Sequence, residues 1–163
     1  MSTDLNDYEI KLLANIKEHG WFSVGVFDKD GNEPDFRYSV GISKTHSAPE
    51  LIVFGLPLDI LHNMLWEMYR QIGDGNPLAN GKRWTGLLEG FDCVSREIHP
   101  SNIVPDYFGS LLWYWTNIEP GLDRKIFQIV WPGAQDGLFP WDEDCDQIVI
   151  DAQPPLWLPT TDG

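Results

Sequence analysis

The sequence predicts an α+β fold: a mostly antiparallel sheet or partly open barrel built from two hairpins and flanked by about three helices. Three observations carry this. Apolar residues recur at helical spacing in residues 4–18 and again from Leu58 to Ile72. Period-two alternation fills residues 21–43. Helical and extended patterns then follow one another down the chain without a repeat or a low-complexity block. The 163 residues fit one domain, 1–163, with a Pro/Trp/Asp-rich C-terminal loop segment from about residue 132.

Taken in order, Leu5, Tyr8, Leu12 and Ile16 make the stripe of the first helix, with Leu13 widening it. Thr3 or Asp4 is the expected cap and Gly20 the stop. In WFSVGVF, Phe22, Val24 and Val26 share one face of a strand. The acidic stretch DKDGNEPD carries an Asp-Gly turn signal, and FRYSVGI alternates again, placing Phe36, Tyr38, Val40 and Ile42 together. ELIVFGL, a continuous apolar run, predicts a strand buried on both faces. Pro57 opens a helix striped by Leu58, Leu61, Leu65, Met68 and Ile72. Residues 74–83 are expected as loop, and TGLLEG with FDCVSREI as a second hairpin turning near Gly90. A third helix is expected from about Pro105 to Trp115, a strand in KIFQIVW, and one further short strand in QIVI.

Composition excludes several classes. Eleven Lys and Arg oppose 25 Asp and Glu, for a net charge of −14. Nucleic acid is not an expected partner, because binding it takes cations that displace counterions. Anionic membrane surfaces are excluded for the same reason. No apolar run approaches the ~18 residues of a membrane span, and MSTDLNDYEIKLL is not patterned as a signal peptide. Cys93 and Cys145 make no disulfide framework, so a cytoplasmic location is expected. The charge is uneven: residues 126–163 hold seven acids and no Lys or Arg. Asp28, Asp30, Glu33 and Asp35 form a second acidic cluster.

Tests for chemistry point away from catalysis. Asp142, Asp144 and Asp146 have the spacing of a calcium loop, but Gln147 stands where its glycine belongs and Gln153 where its last Glu belongs. His19, His46, His62 and His99 show no metal-binding spacing, so no metal site is expected. Cys93 is expected to be a buried hydrophobe, and Cys145, between Asp144 and Asp146, a poor nucleophile. There is no phosphate-cradling glycine loop and no nucleophile elbow. Lys82 and Arg83 beside Trp84 form the one basic-aromatic patch. Aromatic residues gather at Trp113, Tyr114 and Trp115, and at Trp131, Phe139, Trp141 and Trp157, where prolines stiffen the loops and large rings pin them to the sheet.

Six blocks occur in order: HGWFSVGV, FRYSVGI, PELIVFGLP, LLEG, PDYFG, and QIVWP followed by DGLFPW. Over roughly His19 to Trp141 this pattern resembles the domain-of-unknown-function family numbered 4262. The resemblance implies a small bacterial cytoplasmic protein and no established reaction. Two places depart from it. Ser47-Ala48-Pro49-Glu50 stands where the family usually has Gly-His-Pro-Glu, and Gly133 follows Trp131-Pro132 where an Asp is common. The first hairpin with PELIVFGL also looks like the flavin-reductase split barrel. That likeness implies a flavin phosphate near Arg37, Ser39, Ser43, Lys44 and Thr45.

Two functions follow as expectations. The first is an acidic binding protein without catalysis or cofactor, resembling immunity proteins, that neutralises a cognate basic toxin or enzyme. Its contact surface is Asp136, Trp141, Asp142, Glu143, Asp144 and Asp146. The alternative is a small-ligand site, for a flavin or nucleotide, at Arg37, Tyr38, Ser39, Thr45, His46 and Glu50. A third possibility is an adaptor whose motifs only specify the fold. Oligomeric state is not legible in the sequence.

Overall fold

A capping box starts the first helix. In the computed structural model, which describes residues 5–160, the Asn6 side chain accepts from the Glu9 N–H and the Glu9 side chain accepts from the Asn6 N–H. The cap is therefore Asn6; Thr3 and Asp4 lie outside the described residues. Helix α1 spans Asp7–His19 and ends at Gly20, which adopts φ 90°. Strands β1 (Phe22–Val26) and β2 (Phe36–Val40) form the first hairpin. Between them Asp28 accepts from the N–H groups of Asp30, Asn32 and Glu33, so one member of the acidic turn organises the rest.

The expected extension of β2 to Ile42 does not occur. Gly41, at φ 118°, turns the chain into a short helix α2 (Ile42–Thr45). Phe36, Tyr38 and Val40 then pack on one face of the sheet, while Ile42 joins the core on the other. Strand β3 (Glu50–Phe54) is buried along its whole length, as its continuous apolar run predicts. Pro57 stands immediately before α3 (Leu58–Gly73), whose buried face is Leu61, Met64, Leu65, Met68 and Ile72. Strand β4 begins at Lys82, inside the stretch expected as loop, because pairing of Lys82 with Ser95 and Arg83 with Val94 imposes extension on residues that do not alternate. It spans Lys82–Leu88 and pairs with β5 (Phe91–Glu97). After a 3-10 turn at Pro100–Asn102 come α4 (Pro105–Asn117) and β6 (Ile126–Val130). QIVI is helical, not a strand: α5 (Gln147–Asp151) is capped by Asp146, which accepts from the Ile148 N–H. The cap overrides the β-branched run.

The six strands form one open sheet in the order β1-β2-β3-β6-β5-β4. Every neighbouring pair is antiparallel except β3 with β6, which run parallel. The sheet is covered on both faces. Helix α3 packs over Leu51, Val53, Phe127 and Ile129; α1 and α4 pack over Tyr38, Ile52, Phe54 and Ile126. Leu51, Ile52, Val53 and Phe54 are at most 1% exposed. Burial of each such side chain contributes about 1.5–3 kcal/mol, which makes β3 the centre of the fold. The C-terminal segment covers Val94 and Val130 with Phe139 and Trp157. It is stitched down by Gln128, which donates to the Pro154 carbonyl and accepts from the Leu156 N–H. Gln153 does the same for Trp131, exchanging hydrogen bonds with both its backbone groups. Among the described residues no helix is long and apolar enough to cross a membrane.

Candidate functional site

Strand β1 is an outer edge of the sheet, with α1 wrapping one face and α3 the other. A cleft of about 580 Å³ passes round this edge, lined by His19 of α1, Phe22 and Ser23 of β1, Arg37 of β2, and His62 and Trp66 of α3, among others. That size is in the range of ligand sites. His62, Trp66 and Tyr69 stand four and three residues apart, so α3 presents three rings on one side. Trp21 closes the back: its ring stacks on His62 at 5.6 Å and 13° and on Tyr69 at 5.6 Å and 20°. Trp66, half exposed, has no such partner among the described residues.

Arg37 is the cation of the cleft. Its position depends on a missing side chain. A Cβ on Gly25, the residue paired with Arg37 across the hairpin, would lie 3.0 Å from Arg37 Nη1 and 3.1 Å from Cζ. The Arg37 side chain thus crosses over β1 at Gly25, and its guanidinium stands above the edge strand. Two bonds hold it: Nε donates to the Leu58 carbonyl at 2.8 Å and Nη1 to Ser23 Oγ at 3.2 Å. Neither partner is charged. Among the described residues the arginine and lysine ion pairs are those of Arg70 with Glu67 and Asp74 and of Lys44 with Glu119; Arg37 makes none. Burial pushes its pKa down, while Asp59 opposes this at longer range. Burial, and then the Arg37 charge, push His62 down, which favours neutral imidazole.

The six residues of the alternative ligand site do not converge. Arg37 faces the cleft. Tyr38, one residue on, points to the opposite side of the sheet, where its hydroxyl accepts from the Ser110 N–H at 2.9 Å. Thr45 and His46 lie behind the cleft wall: Thr45 Oγ1 donates to the Gly20 carbonyl at 2.6 Å, and the His46 ring packs 4.5 Å from that of Tyr69. His46 Nε2 is buried without a hydrogen-bond partner among the described residues, against Gly73, where a Cβ would come within 2.9 Å of the ring.

Ser39 and Glu50 belong to a closed network. Glu50 is fully buried and accepts five hydrogen bonds, from Ser39 Oγ, Ser43 Oγ and the N–H groups of Gly41, Ile42 and Ser43. Ser39 Oγ accepts from the Leu51 N–H, and Ser43 Oγ from Trp115 Nε1, so both hydroxyl protons are directed at the carboxylate. Burial pushes the Glu50 carboxyl up, and this donor set opposes the shift. Through these five bonds Glu50 holds α2 in place.

The acidic C-terminal loop is organised differently. Asp136, Asp142 and Asp146 each accept from a nearby backbone N–H, those of Leu138, Phe139 and Ile148. Glu143 and Asp144 are exposed and make no hydrogen bond among the described residues. Trp141 stacks on Phe139 at 5.1 Å, and Arg96 lies 4.8 Å from the Trp141 ring and 5.2 Å from Trp157. Lys82 covers Trp84 at 4.3 Å while donating to the Pro77 carbonyl, and Arg83 lies 5.4 Å from the Phe139 ring, so the basic-aromatic patch is divided between two partners. Among the described residues no three His, Cys, Asp or Glu side chains gather into a cation site.

Sequence reasoning singled out Arg37 but missed Ser23, His62, Trp66 and Tyr69. The spacing of the three rings on α3 was the available signal, masked by the stronger apolar stripe on the same helix.

The family described as domain of unknown function (DUF4262) matches residues 15–146, and the chain belongs to it. Among curated proteins and among solved structures, none matches the chain.

Proposed function

We propose that this member of the DUF4262 family is a binding protein whose cleft between α1, β1 and α3 receives a ligand through an anionic group. Arg37 takes the anion, and Trp66 packs against the ligand's apolar part. The observation that carries this is the state of Arg37: a part-buried guanidinium, fixed by two neutral acceptors and making no ion pair among the described residues, in a chain of net charge −14. Nine of the eleven Lys and Arg residues make no ion pair among the described residues; Arg37 is set apart by a part-buried guanidinium that two neutral acceptors hold at the cleft, which leaves it available to an external anion. Carboxylates and the phosphate of a nucleotide or flavin share that chemistry. Titration calorimetry with succinate, inorganic phosphate and flavin mononucleotide tests it. At least one of these anions binds, and Arg37→Gln weakens it about tenfold or more. Equal affinity in wild type and Arg37→Gln would remove Arg37 from the site.

A second reading keeps the acidic loop as a contact for a cognate basic protein of the bacterial cytoplasm. Glu143 and Asp144, exposed and unspent on the fold, follow the 40%-exposed Trp141 in sequence, with the 77%-exposed Ile148 a few residues on. The free thiols of Cys93 and Cys145 accord with a reducing compartment. Native mass spectrometry of protein drawn gently from its host at low salt tests this reading. It requires a bound protein mass that dissociates as salt rises.

A further inference from the structure

The two edges of the sheet are built differently. Strand β4 is blunted: its pairing with β5 shifts register between Trp84 and Leu88, Gly86 takes φ 84°, and Lys82 and Arg83 place charge on it. These are the devices that keep an edge from pairing with another chain. Strand β1 has none of them. FSVGV carries no charge and no proline, and it pairs with β2 in unbroken register from Phe22 with Val40 to Val26 with Phe36. Alternate residues of an edge strand turn their N–H and C=O groups away from the sheet. Among the described residues no other backbone segment bonds to β1 beyond β2. The cleft meets the start of this edge at Phe22 and Ser23, and the Arg37 guanidinium stands over the strand at Gly25. Exposed apolar side chains frame it: Phe27, 60% exposed, directly follows the strand, and Trp66 lines the cleft.

We infer that the ligand of this cleft is an extended polypeptide segment carrying a carboxylate side chain, which adds to β1 as a seventh strand and places its carboxylate on Arg37. Main-chain pairing with β1 supplies affinity, and the residue over Gly25 supplies selection. Side chains of an added strand alternate, so one in two faces the α3 side of the sheet, where the guanidinium waits. Charge selects the occupant: the strand is uncharged and the one cation above it has no carboxylate of its own among the described residues. This inference rests on the reading of the cleft as an anion site and names the class of anion.

The test uses the full chain and capped hexapeptides of sequence Thr-Val-Glu-Val-Thr-Ser, its Gln counterpart, and the Glu peptide N-methylated at alternate amides, with succinate beside them. The Glu peptide is expected to bind and to shift the amide resonances of Phe22 to Val26. The Gln peptide binds about tenfold more weakly, and N-methylation on the pairing edge abolishes binding. Arg37→Gln and Gly25→Ala, the second displacing the guanidinium with a single methyl, erase the preference for Glu over Gln. Circular dichroism verifies that both variants stay folded. If succinate binds in an Arg37-dependent way and neither peptide does, the polypeptide inference falls and the anion site stands. If no peptide binds, and succinate, inorganic phosphate and flavin mononucleotide do not bind either, both fall. Equal binding of Glu and Gln peptides overturns the inference by removing charge as the selector. A dimer in sedimentation velocity that protects the Phe22 to Val26 amides overturns it in favour of a second copy of the chain.

Discussion

Glu50 accepts from Ser43 twice, from its hydroxyl at 2.6 Å and from its backbone N–H at 2.9 Å. That pair ties the start of β3 to helix α2, and with Ser39 it fixes the turn at Gly41 by which the chain leaves one core for the other. Glu50→Gln turns an amide NH2 toward the Ile42 N–H or toward those of Gly41 and Ser43, backbone groups that only donate. The expected loss is about 3 kcal/mol or more, the range for breaking a buried charge network from one side. Urea unfolding measures it, and a loss below about 1 kcal/mol would show that the network relaxes around an amide.

Gly20 and Tyr69 are coupled by contact. A Cβ at Gly20 would run into the Tyr69 hydroxyl and lie 3.1 Å from Cζ, and the backbone there is left-handed at φ 90°. Gly20→Ala costs about 1–2 kcal/mol from the backbone alone, with the side-chain collision added. Tyr69→Phe removes the hydroxyl, so the double variant recovers part of the loss. A double-mutant cycle with no coupling would mean that Tyr69 moves freely out of the cleft wall.

His62 gives the protein a dependence on pH. Burial and Arg37 lower its folded pKa below the ordinary imidazole value. The unfolded chain therefore takes up this proton at about pH 6.5, before the folded chain does. Stability from this group is complete above that value and is lost as pH falls from about 6.5 toward the depressed folded pKa. Chemical unfolding between about pH 7.5 and 5.5 shows a decline in wild type, and His62→Gln flattens it. Arg37→Gln flattens it only in part, because burial is the larger cause.

The two thiols differ in accessibility and charge. Burial, with Asp92 adding, pushes the Cys93 thiol up to about 12. Cys145 is partly exposed; burial and then the carboxylates of Asp136, Asp142 and Asp146 raise it too. A thiol reagent at neutral pH labels Cys145 slowly and Cys93 only after unfolding, as mass spectrometry of the labelled chain will show. Fast labelling of Cys93 in native buffer would contradict the packing of β5 against α3.

Arg96 fastens the C-terminal segment by lying on both Trp141 and Trp157. Arg96→Ala is expected to cost about 1 kcal/mol and to alter tryptophan fluorescence without unfolding the sheet. Arg96→Lys retains less than half of the effect, since an ammonium cannot stack as a plane. An unchanged spectrum would place the latch in Gln128 and Gln153 instead.

The elements that were legible in the sequence are those specified by neighbours along the chain. The first hairpin follows from alternation around turn residues, the second from its turn near Gly90, α3 from Leu61, Leu65, Met68 and Ile72, and the burial of β3 from an unbroken apolar run. The same local signals misled where a single side chain outweighed them. Asp146 caps QIVI into a helix, and Gly41 ends β2 before Ile42. Family membership was also legible, because blocks in fixed order survive without any knowledge of where they meet.

What only the tertiary structure decided is which residues meet. The parallel pairing of Ile52 with Gln128 joins positions remote in sequence. It depends on where α3 and α4 carry the chain, and periodicity does not encode that. The candidate site has the same origin. The sequence shows Arg37 beside Tyr38 and Ser39, yet the pleat sends Tyr38 to the far face and Glu50 claims Ser39. Arg37 instead reaches over Gly25 toward His62 and Trp66, because the absence of one Cβ across the hairpin leaves a path there. Chemistry of that kind depends on distances across strands and helices, and these exist only once the chain has folded.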